Sequence, residues 1–254
     1  MTKKLQMVYE PGGRAREYSP WALNHYKHCP HGCVYCYVED ALHLQTGTFT
    51  GDAVPKDLTR AWADIKRLAG KQEPIFLSFA CDPYPMGCDC SLTRKVIEEC
   101  NKWVVPYRIL TKNGTDSLRD LALYKTNCEF GLTLTFTEVG DSARWEPGAS
   151  LPLIRWKALE AAHEAGIFTW ASIEPVIFAQ QSLDNIEATL DIVDHFKIGK
   201  LNHMKPPIPI DWPAFRENAI DMLKRNGFTE TTECDRQPIK KSYYIKKDLK
   251  EARN

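Results

Sequence analysis

Among the 254 residues no apolar run approaches the roughly 20 needed to span a bilayer. Net charge is missing too: 33 Lys and Arg balance 33 Asp and Glu, so no global field holds a polyanion and any nucleic-acid contact needs a local patch. Pro and Gly punctuate the chain singly, and no low-complexity linker marks a boundary. The chain therefore reads as one domain with room for a substantial core. No secretory segment opens it, and nine cysteines, an odd count in a long chain, argue against a disulfide framework. These absences predict a soluble, cytoplasmic protein whose thiols stay reduced.

What is present is concentrated in one loop. Cys29-Pro30-His31-Gly32-Cys33-Val34-Tyr35-Cys36 places three thiols within eight residues. Three thiolates can each hold one iron of a cubane [4Fe-4S] cluster, where full protein ligation takes four, and the iron left open can chelate a small molecule through an amine and a carboxylate. Pro30 and Gly32 allow the tight turn that aims the sulfurs inward. Zinc is the alternative, with His28 or His31 as a fourth ligand.

The rest of the chain alternates helices and strands. Helical spacing covers residues 55–69, with Leu58, Trp62, Ile65 and Ala69 on one face. A buried strand is expected over 74–80, a helix from Ser91 as N-cap to about 101, a strand over 107–111 and a helix over 116–125. There follow a strand over 130–137, a helix over 152–165 ended by Gly166, a strand over 168–173, a helix over 182–194, a short strand over 196–198 and a helix over 213–226 before Gly227. Residues 24–28 would end the first strand. Strand, crossover helix and strand, repeated about six times, imply a parallel sheet with helices outside, and in βα barrels the chemistry lies on loops after the strands, where the cysteine loop falls.

The Cys29, Cys33 and Cys36 spacing, with the aromatic Tyr35 before the third cysteine, resembles the signature of radical S-adenosylmethionine (SAM) enzymes. That resemblance implies an α/β fold, a partial (β/α)6 barrel of radical SAM type over residues 1–228 with a basic C-terminal tail over 229–254. It also implies a [4Fe-4S] cluster, SAM on the fourth iron, an electron donor such as flavodoxin or ferredoxin, and cleavage of SAM to methionine and a 5′-deoxyadenosyl radical that abstracts hydrogen from substrate. Closer still is the spore photoproduct lyase-like (DNA repair photolyase-like) branch. Its opening is similar to Pro11-Gly12-Gly13-Arg14-Ala15-Arg16-Glu17-Tyr18 and Asn24 to Tyr37, and its later signatures to Asp82-Pro83-Tyr84, Leu92-Thr93-Arg94, Leu110-Thr111-Lys112 and Glu146-Pro147-Gly148-Ala149. The Gly-Gly-Glu motif that many radical SAM enzymes carry after the second strand is replaced by Phe79-Ala80-Cys81-Asp82-Pro83-Tyr84, and the branch lacks it as well.

By this resemblance Tyr35 is a cofactor-binding residue and Lys112 meets the SAM carboxylate, as a fixed ammonium beside an anion would. Thr135, alternating with Thr133, offers a hydroxyl to the ribose or methionyl part. Asp82 and Tyr84 fall where a ligand pocket belongs, and Glu174 at its floor; Asp-Pro is equally turn chemistry and Glu174 equally a surface carboxylate. Cys81 is the candidate catalytic hydrogen-atom donor, and Cys81, Cys88, Cys90 and Cys100 together could hold a second cluster, although free cysteines are the default. Cys128 and Cys234 carry no pattern. Arg236, Lys240, Lys241, Lys246, Lys247 and Lys250, interleaved with Tyr243 and Tyr244, read as a solvated, frayed tail or as a strand-binding groove. Three functions remain open at this point: a lyase-like radical SAM enzyme acting on a nucleic-acid base lesion, the same chemistry on a peptide or small metabolite, and a non-enzymatic zinc or iron-sulfur protein.

Overall fold

A computed structural model describes residues 5–232 and 239–253. Eight strands form one parallel sheet: β1 (Trp21–Ala22), β2 (Ile75–Leu77), β3 (Tyr107–Thr111), β4 (Cys128–Thr133), β5 (Phe168–Val176), β6 (His195–Lys200), β7 (Thr229–Glu230) and β8 (Ser242–Ile245). Their order is β1-β2-β3-β4-β5-β6-β8-β7, and among the described residues no pairing joins the two edges, so the sheet is a partial barrel. The helices are α1 (Val38–Ala41), α2 (Thr59–Arg67), α3 (Ser91–Trp103), α4 (Gly114–Ser117), α5 (Val139–Trp145), α6 (Pro152–Glu164), α7 (Ala179–Thr189), α8 (Trp212–Arg225) and α9 (Lys247–Lys250).

Strand alternation sorts the residues into two faces. Ile75, Leu77, Tyr107, Ile109, Cys128, Phe130, Leu132, Ala171, Ile173, Phe196, Ile198, Tyr243 and Ile245 join the main core with helix residues such as Ile65, Val96, Ile97 and Cys100. The intervening positions face the lumen, where Phe76 and Trp170 pack with Tyr18. The lumen is also charged. Arg108 Nε donates to Glu129 Oε2 at 2.5 Å between adjacent strands, and Lys197 Nζ donates to the Glu17 and Tyr18 carbonyls at 2.9 and 3.2 Å. These bonds fix residues 17–18 across the sheet from β1. Gly131 belongs to this packing: a Cβ there would stand 2.3 Å from the Trp170 ring.

Several boundaries differ from expectation for identifiable reasons. The helix expected over 55–69 starts at Thr59, because Val54–Pro55 pairs antiparallel with Tyr26–Lys27. The first strand is Trp21–Ala22, and residues 24–28 lie beyond it. Ser91 is the first helical residue of α3; the Asp89 carboxylate, two residues earlier, accepts its N–H and its hydroxyl, each at 2.8 Å. Residues 116–125 hold the end of α4 and a 3-10 segment, Leu118–Leu123, instead of one helix. The fourth strand ends at Thr133, where its ladder with β5 runs out at Ser172. α6 and α8 fall as expected, each with Pro in its first turn, and Ile167 N–H returns to the Ala162 carbonyl at 3.0 Å past Gly166.

The largest correction concerns the C-terminal segment. It is not a frayed tail: β8 pairs parallel with β6 from Ser242↔His195 to Ile245↔Ile198, and Tyr243 is fully buried. Cys234 and Arg236 lie outside the described residues. Among the described residues no helix is long and apolar enough to cross a membrane.

Two predictions follow from this packing. Gly131→Ala should cost about 1–3 kcal/mol in urea denaturation through overpacking against Trp170; an unchanged midpoint would contradict the contact. His25 is buried behind β1 with Nε2 2.9 Å from Thr93 Oγ1, and burial lowers it from 6.5 to about 4. The unfolded chain therefore binds the extra proton between pH 6.5 and 4, and stability falls as pH drops through that window, by up to about 3 kcal/mol for this group. His25→Asn should flatten the slope of stability against pH there, and an identical slope would refute the assignment.

Candidate functional site

The strand ends open on a cavity of about 250 Å³. Cys29, Cys33, Tyr35, Cys36, Cys81, Asp82, Lys112 and Glu174 all line it, so residues spread over 146 sequence positions meet in one space. The cysteine loop enters through two backbone bonds, Cys29 N–H to Phe49 O and Gly51 N–H to Cys29 O, both 3.2 Å, and turns at Gly32 with φ 56°.

The segment after β2 is shaped by two side chains. Asn24 Oδ1 accepts from Ser78 Oγ, Phe79 N–H and Ala80 N–H at 3.0, 2.8 and 3.1 Å. Asp82 accepts from Tyr84 N–H at 2.8 Å and Thr111 Oγ1 at 2.5 Å on one oxygen, and from Lys112 N–H at 2.8 Å on the other. His31 Nδ1 faces that second oxygen at 3.5 Å while its Nε2 takes Met86 N–H at 3.1 Å. Asp82 thus joins the cysteine loop to the ends of β2 and β3. Both His31 nitrogens are engaged in this way, which removes it as a zinc ligand in this arrangement.

Lys112 brings the positive charge. Burial disfavours its ammonium, but Cys33, Glu146 and Asp82 outweigh burial and hold its pKa above the ordinary lysine value. Its Nζ stands 5.6 Å over the Tyr35 ring. Among the thiols, Cys29 is drawn down to about 6, chiefly by a hydrogen bond from Cys81, whereas burial pushes Cys33 up to about 12. The Cys81 thiol is raised strongly, first by its bond to Cys29 and then by burial.

Glu174 from β5 also lines the cavity. Its carboxylate accepts from the Tyr18 hydroxyl and from Lys246 Nζ at 2.9 Å, and Tyr18 also pairs with Ser172 Oγ at 2.9 Å. Lys246, read from the sequence as part of a solvated tail, is 2 % exposed and faces the cavity because β8 delivers it there. Other basic residues of that segment are paired too: Lys240 with Asp194 at 3.3 Å and Lys250 with Glu230 at 2.8 Å.

Two expected site residues lie elsewhere. Thr135 is two positions past β4 and does not line the cavity; its hydroxyl donates to Glu146 Oε1 at 3.1 Å, while Thr133 does line the cavity. Tyr84 turns into the core, its hydroxyl donating to Asp120 Oδ2 at 3.0 Å and meeting Tyr124 at 2.8 Å. Cys90 and Cys100 pack in the main core apart from Cys81, and neither they nor Cys88 line the cavity, so the four are not gathered for a second cluster. Glu146 and Arg155 were missed as site residues. Glu146 stood in a motif noted from the sequence, but only the fold reveals that it accepts from Tyr35 and pairs with Arg155.

The donor set suits a cubane. Three thiols of one loop border one cavity that Lys112 also lines, and each thiol would hold a different iron of such a cluster. Among the described residues no three His, Cys, Asp or Glu side chains converge on a single-ion position. Asp82→Ala should lower stability by about 3 kcal/mol by stranding the Thr111, Lys112 and Tyr84 donors, with Asp82→Asn milder. Equal and near-zero losses in urea denaturation would contradict the anchor.

No protein-family model matches the chain. It is 26% identical over 208 residues to an uncharacterised protein of Acidianus two-tailed virus, covering 76% of this chain and 68% of that one. It is 30% identical over 161 residues to an uncharacterised protein of Methanocaldococcus jannaschii, covering 62% and 60%. The chain thus spans less than two thirds of the archaeal relative. Among solved structures, spore photoproduct lyase complexed with dinucleoside spore photoproduct superposes with a TM-score of 0.65 at 13% identity, covering 96% of this chain and 80% of that one. SuiB of Streptococcus suis bound to S-adenosylmethionine gives 0.60 at 11%, covering 81% of this chain and 48% of that one, so the chain spans about half of SuiB. The chain has the partial-barrel fold of the radical SAM enzymes, and spore photoproduct lyase is among the structures it resembles.

Proposed function

We propose that this chain is a radical SAM enzyme, with a [4Fe-4S] cluster on Cys29, Cys33 and Cys36 and SAM completing the open iron. The observation that carries this reading is the meeting of three loop thiols with the charged Lys112 in one cavity at the C-terminal strand ends. When bound, the pair supplies reductive cleavage of SAM to methionine and a 5′-deoxyadenosyl radical that takes a hydrogen atom from substrate. The chain's own residues bind, orient and exclude water. Lys112 offers its ammonium to the SAM carboxylate, and Asp82 holds the Lys112 backbone against the cysteine loop. Tyr35 packs its ring beneath that ammonium. Cys81, whose thiol borders the cavity, is the hydrogen-atom donor in this reading. The electron comes from a flavodoxin- or ferredoxin-type partner.

For substrate we favour a damaged nucleobase and lyase-like chemistry. Phe79 stacks on Phe76 with ring centroids 4.2 Å apart, and both line the cavity, giving it an aromatic surface that suits a base. A peptide or small metabolite is the second reading, favoured by the pairing of Lys240, Lys246 and Lys250, which removes the free basic groove a strand would track.

Anaerobic reconstitution and reduction with added SAM should yield about four irons per chain and 5′-deoxyadenosine. Cys33→Ala should lose at least tenfold of the product. Tetrahedral zinc in oxygen-free preparations, or equal product from Cys33→Ala, would refute the reading. Salt-dependent DNA binding separates the substrates, and its absence moves the assignment to peptide or metabolite.

A further inference from the structure

We propose that Glu146, held by Arg155, is the positioning residue of the cofactor site, and that residues 145–150 act as a spacer fixing the cysteine loop relative to Lys112. The proposal rests on the cluster and SAM reading above. The segment touches the cysteine loop three times. Val34 N–H donates to the Trp145 carbonyl and Gly148 N–H to the His31 carbonyl, both at 2.9 Å, and the Tyr35 hydroxyl donates to Glu146 Oε1. At its far end Ser150 N–H donates to the Lys112 carbonyl at 2.9 Å. Six residues therefore link the thiol-bearing loop to the backbone of Lys112.

Both the approach and the charge are specific. A Cβ on Gly148 would stand 2.3 Å from the Pro30 carbonyl oxygen and 2.8 Å from His31 Cα, so no other residue allows the segment to lie this close to the loop. Glu146 and Arg155 are 1 % and 2 % exposed. Ion pairs so deep rarely stabilise more than apolar residues of the same volume would, and their attested use is to specify one arrangement. Arg155 distributes its donors accordingly: Nε to the Ser150 carbonyl at 2.8 Å, Nη1 to the Thr133 carbonyl at 3.0 Å, and Nη2 to Glu146. It ties the spacer to the end of β4, while the other carboxylate oxygen serves Tyr35 and Thr135. Glu146 is also one of the charges that keeps Lys112 protonated. One carboxylate thus holds the residue before the third cysteine and stabilises the charge that faces the SAM carboxylate.

Tyr35→Phe removes a single hydroxyl, Gly148→Ala crowds the loop, and Glu146→Gln removes the charge. The full chain is reconstituted anaerobically and reduced, and SAM is titrated while the electron paramagnetic resonance spectrum of the cluster is followed, alongside iron content and thermal midpoint. The expected result is wild-type iron content in Tyr35→Phe, with a SAM Kd raised roughly tenfold and an altered SAM-bound spectrum. Gly148→Ala and Glu146→Gln should shift the same way; if either fails to fold, Tyr35→Phe alone decides. A Tyr35→Phe protein with wild-type Kd and spectrum, whatever its thermal midpoint, overturns the positioning role while leaving the parent reading intact. A wild-type cluster that ignores SAM overturns the parent reading and this proposal with it.

Discussion

The site depends on two buried carboxylates that flank Lys112. Asp82 binds its backbone N–H and faces His31 of the cysteine loop; Glu146 receives Tyr35 of the same loop and lies within electrostatic reach of the ammonium. Both carboxylates already accept from protein donors, and of the two Asp82 lines the cavity. Their role is to tie the ends of three strands to the cysteine loop. Without them the thiol loop would keep only its backbone bonds to Phe49, Gly51, Trp145 and Gly148 and the His31 contact with Met86.

The lumen below follows the same logic with a different balance. Arg108, Glu129, Lys197, Glu174 and Lys246 place charge where a closed barrel would stack apolar side chains. The sheet ends at β1 on one edge and β7 on the other, and the Tyr18 carbonyl accepts from both Arg108 and Lys197. Arg14, on the same segment as Tyr18, pairs with Asp248 in the C-terminal segment. Arg14, Ala15, Tyr18 and Lys246, from the two ends of the described chain, thus line the same cavity as the cysteines.

How much of this was legible in the sequence depended on the range of the interaction. The cysteine loop, the Pro-initiated helices α6 and α8 and the glycine after α6 are local patterns, and the fold reproduces them. The C-terminal strand was hidden because its lysines suggested solvent, although Tyr243 and Ile245 alternate onto the core face and Lys246 continues into the lumen. Tyr84 and Thr135 were placed in the pocket by their neighbours in sequence, but the strand ends turn both away, toward Asp120 and Glu146. Arg155 could not be singled out from helix periodicity. Its partner lies nine positions earlier, beyond the spacing at which residues on one helix meet, and outside the helix itself.

In the proposed reading this framework would hold a cubane with one corner open to SAM. Electron-nuclear double resonance on the reduced protein, using SAM labelled at the amine nitrogen and carboxylate oxygen, tests it directly. Hyperfine coupling of both labels to the cluster is expected. Tight SAM binding with neither label coupled would contradict it.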